Sequence, residues 1–254
     1  MRGRAVAPGA GTVLNALATH TGSAFAIDVE TTATVELTDS GEVTGAISGA
    51  PDADTRLIER CVELVVARHG DGEGARVRTE SDVPMAAGLK SSSAAANAAV
   101  LAALAALDVP VEGGETPESE GSLSRLEACR LGVRAAREVG VTVTGAFDDA
   151  SASMLGGVTV TDNRGDELLA REAFDRDVLV WTPPERAYSA DADVERCRRI
   201  APLADLVADL ALAGRFEEAM TVNGLAFSAA LGFPTDPVVE ALPDAAGVSL
   251  SGTG

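Results

Sequence analysis

Residues 88–99 read GLKSSSAAANAA, and the run that contains them begins at Pro84 as PMAAGLKSSSAAANAA. A proline here ends a strand, and Gly88 admits a left-handed or closely approached turn. Three serines, Ser91, Ser92 and Ser93, then enter SSAAANAAVLAALAAL, residues 92–107, a helix by propensity that is almost without charge. Such a helix has to be buried. The amides of its first turn have no partner within the helix and lie at the positive end of its dipole, so its start suits an anion. The serine hydroxyls have three uses there: capping the helix, ligating a hard cation, or bonding a phosphate oxygen. The plain alternative is a serine N-cap on a buried helix. The phosphate loop G-x-x-x-x-G-K-[ST] is excluded, because it needs glycine directly before its lysine. Leu89 precedes Lys90, and Pro84 stands where the first glycine belongs. Lys90 is the sole lysine beside 19 arginines; either it reaches a bound phosphate or it is an exposed loop side chain.

On the N-terminal side, AFAIDVETTATVELT (24–38) alternates and is β-branched enough for strands, and GARVRTESDVP (74–84) ends in another. Between them, DADTRLIERCVELVVARHG places Leu57, Cys61, Leu64 and Val65 at helical spacing and closes on Gly70. On the C-terminal side, VEGGETPESEGS (111–122) is a loop, and Ser124 with Glu127 forms an S-x-x-E capping box for a helix running to about Glu138. GGVTVTD (156–162) and DVLVWTP (177–183) read as strands, and 191–213 and 215–231 as helices. A lobe boundary falls near Leu155. The order is mixed rather than a regular strand-helix alternation.

The 254 residues suffice for two modest lobes around a cleft. With 39 acidic against 20 basic residues, and a net charge of -19 spread along the chain, no nucleic-acid partner is expected, for want of clustered cations. So much acid with arginine in place of lysine points to a cytoplasm of high salt, where screening shortens to about 3 Å at molar ionic strength; an ordinary acidic protein is the alternative. Cys61, Cys129 and Cys197 form no C-x-x-C pair, and with only His20 and His69 besides, a zinc site lacks ligands. The three read as buried thiols. The opening MRGRAVAPGAGTVLNA lacks the apolar core of a signal peptide, and no run of 18 apolar residues occurs. The expectation is a soluble, cytoplasmic protein with no membrane partner.

The pattern P-x-x-x-G-L-x-S-S-[SA]-A resembles the second motif of the GHMP kinases, the family of galactokinase, homoserine kinase, mevalonate kinase and phosphomevalonate kinase. APGAGTVLNA (7–16) is similar to the family's first motif and SLSGTG (249–254) to its third, in the family's order, so the resemblance spans the chain. It implies an α+β, two-lobed GHMP kinase fold. Residues 1–155 would form the ATP-binding lobe, of the ribosomal-protein-S5-domain-2 type, and 156–254 a ferredoxin-like C-terminal lobe. It also implies ATP and Mg²⁺: Pro84, Ala86, Ala87, Gly88, Leu89, Lys90, Ser91, Ser92, Ser93 and Ala94 would wrap the nucleotide phosphates, with Ser92 helping to hold the metal. Glu138, eighteen residues before Gly156, falls where the family places its acidic metal ligand; the alternative is a solvated residue in a last helical turn.

Phosphoryl transfer needs little covalent help from protein, but it needs an aligned and positioned hydroxyl. Asp148 and Asp149, in TGAFDDASASMLGG (144–157), stand where family members carry an aspartate. Counting back from Gly156, Asp149 fits the spacing of mevalonate kinase and galactokinase, where that aspartate is proposed as the base facing the substrate hydroxyl. Asp148 fits the homoserine kinase spacing. Turn or capping chemistry would explain the pair equally. Thr12 and Asn15 are polar groups at a strand end, able to touch substrate or nucleotide or else ordinary turn residues; Gly252 and Thr253 of the third motif are candidates for the same contacts.

Taken together, GLKSSSAAANAA, TGAFDDASAS and GAGTVLNA are most similar to the archaeal type of shikimate kinase, a branch of the GHMP kinases. That resemblance implies phosphorylation of the 3-hydroxyl of shikimate by ATP, on the route to chorismate and the aromatic amino acids. It calls for a local cation, an arginine, to meet the substrate carboxylate. Another kinase of the family, for homoserine or pantoate, or a nucleotide-binding relative without turnover, are the alternatives. In the family the third motif is followed by further glycine-loop residues and a strand, whereas this chain stops at Gly254; the expectation is a shortened sequence or an incomplete C-terminal lobe.

Overall fold

In a computed structural model the residues described are 1–84, 87–113, 116–117, 119–142, 144–182 and 192–252. The chain opens with β1 (Arg2–Leu14), β2 (Thr21–Thr38) and β3 (Val43–Ile47), followed by α1 (Arg56–His69), β4 (Gly74–Ser81) and α2 (Ser91–Ala106). Two short bridging strands, β5 (Val111–Glu112) and β6 (Leu123–Ser124), precede α3 (Arg125–Val139) and α4 (Phe147–Leu155). Then come β7 (Val158–Asp162), β8 (Glu167–Glu172), α5 (Val194–Arg199), α6 (Ala201–Leu212), α7 (Phe216–Leu231) and α8 (Asp236–Ala241).

The spine is β2. One of its edges pairs with β1 from Arg2↔Glu36 to Leu14↔Ser23; the other pairs with β4 along residues 31–38 and with β7 along residues 21–25. Opposite the stretch between those two pairings, β1 shifts register between Pro8 and Ala10, an irregularity of the kind that re-aims a strand. Two large cores form as a result. Val35 and Val77 of the sheet bury against Val62, Val65, Val100, Leu104 and Phe147 of α1, α2 and α4. Val13, Leu14, Phe25, Val158 and Val160 bury against Val207, Phe216 and Phe227 of α6 and α7, where Phe174 stands 5.1 Å from Phe25 and edge-on to Phe216. Strands β7 and β8 lie beyond the boundary expected near Leu155, yet hydrogen-bond into the same sheet as β1 to β4.

The alanine helix is α2, and it is apolar around most of its circumference because it is largely buried. Backbone rests directly on it: a Cβ at Gly3 of β1 would lie 2.1 Å from the Ala102 carbonyl oxygen. The capping box forms as the sequence predicts. Ser124 Oγ accepts from Glu127 N at 3.1 Å, Glu127 Oε2 accepts from Ser124 N at 2.9 Å, and Gly140, left-handed at φ 76°, closes α3. All three cysteines are free and buried; burial pushes the Cys61 thiol up to about 12 and that of Cys129 further still. Among the described residues no helix is long and apolar enough to cross a membrane.

Two expectations need correction. Residues 177–182 carry no strand, and Leu179 is 97% and Trp181 66% exposed; Pro183 lies outside the described residues. Their β-branched, apolar composition suits a strand, but a strand also needs a neighbour to bond. The strand is instead β8, the polar-faced ELLARE, which pairs with β7. The helix expected over 191–213 is broken at Ile200 into α5 and α6, because Pro202 is accommodated only in the first turn of a new helix.

Candidate active site

The start of α2 is open. Lys90 occupies its N-cap in a left-handed conformation, φ 61°, and no side chain caps the helix, so the serines are not N-caps; they form its first turn. Ser92 is exposed and its hydroxyl makes no hydrogen bond among the described residues, whereas Ser93 is buried. A pocket beside this turn is lined by Ser92, Ser93, Ala96, Gly132, Ala136 and Ala146. Pro84 is exposed at the head of the loop, Ala87 is half-buried, and Leu89 packs with Val83 and Ala94 while its carbonyl accepts from Ala10 N of β1 at 3.1 Å. Ala86 and Thr253 lie outside the described residues.

All three sequence motifs meet here. Ser251 Oγ donates to the Gly88 carbonyl at 2.7 Å and accepts from Thr12 N at 3.2 Å. Gly252 is held at both ends, its N donating to Thr12 Oγ1 at 3.0 Å and its carbonyl accepting from Asn15 Nδ2 at 2.7 Å. The structure therefore uses Thr12 and Asn15 to fasten the third motif to the first. Behind them Asn223 of α7, fully buried, accepts from Asn15 N at 2.9 Å and donates to Ser249 Oγ at 2.8 Å. Nothing but its place in the mostly apolar run MTVNGLAF marked Asn223 in the sequence. Contact is close enough to need glycine: at Gly88, φ 69°, a Cβ would lie 2.2 Å from the Ser251 carbonyl oxygen.

The two aspartates diverge from the first turn of α4. Asp149 faces the loop, its Oδ1 3.1 Å from Lys90 Nζ, an ion pair with both side chains largely buried. Lys90 is thus neither an exposed loop side chain nor unpartnered. Asp148 turns inward, where Asn163 Nδ2 donates to its Oδ1 at 2.7 Å. Burial, with the Asp149 charge beside it, pushes the Asp148 carboxyl up from 3.8 to about 7, against the pull of Lys90 and the Asn163 amide. The folded protein therefore holds a proton there that the unfolded chain releases above pH 3.8, so the stabilisation is full below that value and fades as pH rises through 7. Asp148→Asn, neutral throughout, should gain melting temperature relative to the native protein between about pH 4 and pH 7.5. A constant difference across that range would rule out the buried acid.

Glu138 lies elsewhere, on the exposed side of α3 facing α1. Arg60 Nε donates to its Oε2 at 2.6 Å and Arg134 Nε to its Oε1 at 2.7 Å, and these bonds lower its carboxyl below the usual range, Arg134 most. For a Mg²⁺ ion, Ser92 with its open hydroxyl fits as a ligand. Glu138, with both oxygens already bonded to guanidinium groups, does not fit in this arrangement, and no cluster of three or more acidic, His or Cys side chains gathers among the described residues.

Residues 56–157 match the family pattern described as GHMP kinases N terminal domain. The architecture agrees: mevalonate kinase from Methanococcus jannaschii superposes with a TM-score of 0.68 at 15% identity, over 99% of this chain and 88% of that one. Homoserine kinase from Cytophaga hutchinsonii gives 0.59 at 18%, over 100% and 82%. The chain belongs to the GHMP kinases, on the family pattern over residues 56–157 and on a relative 65% identical over the whole chain. Within the family it is 65% identical to a shikimate kinase of Halobacterium salinarum, over 100% of this chain and 86% of that protein. It is also 55% identical to a shikimate kinase of Methanosarcina mazei, over 100% and 83%.

Proposed function

We propose that the protein is a shikimate kinase, moving the γ-phosphoryl group of ATP to the 3-hydroxyl of shikimate. The observation that carries this is the uncapped start of α2 with the Lys90–Asp149 pair beside it. Helix amides and the small residues Gly88, Ser91, Ser92 and Gly252 accommodate the phosphates, and the Lys90 ammonium adds positive charge where the transferred group would lie. The ionised Asp149 takes the proton of the attacking hydroxyl. The substrate oxygen bonds to Pγ, the bond from Pγ to the β,γ-bridging oxygen breaks, and ADP leaves. Asp148, buried and clamped, is the supporting residue of the two. Mg²⁺, when bound with ATP, supplies charge neutralisation, with Ser92 as its protein ligand.

Substrate choice rests on the shikimate kinases at 65% and 55% identity over the full chain. The acidic excess and the Halobacterium relative favour work in a salt-rich cytoplasm. A panel of shikimate, homoserine, pantoate and mevalonate with ATP and Mg²⁺, run from low salt to molar KCl, tests both points. Shikimate should turn over at least about a hundredfold faster in kcat/KM than any other acceptor, a gap of about 2.7 kcal/mol in transition-state binding, with activity rising as salt is added. Preference for another hydroxy acid would overturn the substrate, and undiminished activity at low salt the habitat.

A further inference from the structure

Asn163 follows directly after β7 and is 2% exposed. Its side-chain amide clasps one residue from two directions: Oδ1 accepts from Asp148 N at 3.1 Å, and Nδ2 donates to Asp148 Oδ1 at 2.7 Å. Thr161 Oγ1 donates to Asn163 Oδ1 at 2.8 Å, which fixes the amide's orientation. The far side of Asp148 is closed as well, since a Cβ at Gly22 would lie 2.4 Å from its Oδ2, and its carbonyl accepts from Ser151 Oγ at 3.0 Å. Asn163 is itself tied down: its N donates to the His20 carbonyl at 2.9 Å, and its carbonyl accepts from Arg137 Nη2 at 3.1 Å. The next residue along α4 is Asp149, held out toward Lys90.

We propose that Asn163 is a positioning residue for phosphoryl transfer, fixing through Asp148 the turn of α4 from which Asp149 reaches Lys90 and the acceptor hydroxyl. This rests on the reading of Asp149 as the base. A misdirected carboxylate reduces the rate steeply, because a proton acceptor acts only within hydrogen-bond reach of its proton. Asparagine is suited to the task because one side chain offers an acceptor to the Asp148 amide and a donor to its carboxylate at every pH. An aspartate in its place could do both only while protonated.

The test is therefore a pH profile of Asn163→Asp beside the native protein. The charged groups around the clasp are Asp148, Asp149 and Lys90 on its α4 and loop side, and Arg137 with its bidentate partner Asp166 behind it. Arg164, paired with Asp162, flanks it on the chain. All of these are present in both proteins, so the ratio of the two profiles isolates position 163. In N163D the new carboxyl shares a proton with Asp148 at low pH and repels it at high pH. Its kcat relative to the native enzyme should fall at least about tenfold from pH 6 to pH 8.5, with both KM values moving less than about threefold. Asn163→Leu, which has no donor or acceptor, should be slow at every pH with the same KM values. A flat ratio for N163D, or losses carried mainly by KM, overturns the proposal. Should N163D not fold, Asn163→Ser carries the test on the split between kcat and KM alone. Native protein that leaves shikimate unphosphorylated overturns the underlying reading instead, and does so before any variant is compared.

Discussion

Asp149→Asn is expected to reduce kcat by about 10²–10⁴-fold, the usual contribution of a positioned general base, while the Kd for ATP changes by less than about threefold. The shape of the side chain is kept, so the loop and α4 can remain in place. What is lost is the capacity to accept a proton and the charge facing Lys90, 3.1 Å away. Since Lys90 then loses the anion paired with it, ATP binding should hold or tighten while turnover collapses. Equal loss of binding and turnover, measured by titration and steady-state rates, would instead make the pair a structural strut. Asp148→Asn sets the scale: it alters a residue that faces Asn163 rather than the loop, so its effect on kcat should be the smaller of the two.

Gly88→Ala should be the most disruptive small substitution in the loop. The left-handed backbone alone costs an alanine about 1 kcal/mol. The new methyl would also lie 2.2 Å from the Ser251 carbonyl oxygen, and backbone on both sides leaves no flexible group to give way. We expect a loss of roughly 2–4 kcal/mol in unfolding free energy, and ATP affinity weakened at least about tenfold as the third motif is pushed off the second. Gly232→Ala is the control. It has a similar φ of 83°, but a Cβ there would meet only Arg196 Nη1, at 3.6 Å, so it should show the conformational cost without the loss of ATP. Identical behaviour of the two variants, followed by denaturant unfolding and ATP titration, would show that contact between the motifs is unimportant.

Much of this fold was legible because its signals are local. Alanine density sets α2, Ser124 and Glu127 set the start of α3, and Gly70 marks the end of α1. Signals that depend on a neighbour misled: the apolar VLVW run reads as a strand yet has no strand beside it among the described residues, while the polar-faced ELLARE is one because β7 lies next to it. The site divides the same way. Asp149 and Lys90 could each be singled out from spacing and rarity, but their pairing across 59 positions depends on how α4 crosses the start of α2. Asn163 and Asn223 carried no local mark, because a buried amide is recognised only by what it bonds. Thr12 and Asn15 were found as polar groups at a strand end, but their task of fastening Gly252 depends on contacts about 240 residues apart.

The pairing of Lys90 with Asp149 has a consequence for the chemistry of ageing and labelling. A protein with one lysine beside 19 arginines offers amine-directed reagents, sugars and acyl donors a single side-chain amine, and that amine is in the site itself. Acylation of Lys90 would strip its positive charge and leave the carboxylate beside it uncompensated, so ATP held over the loop would shield the enzyme from inactivation at this side chain.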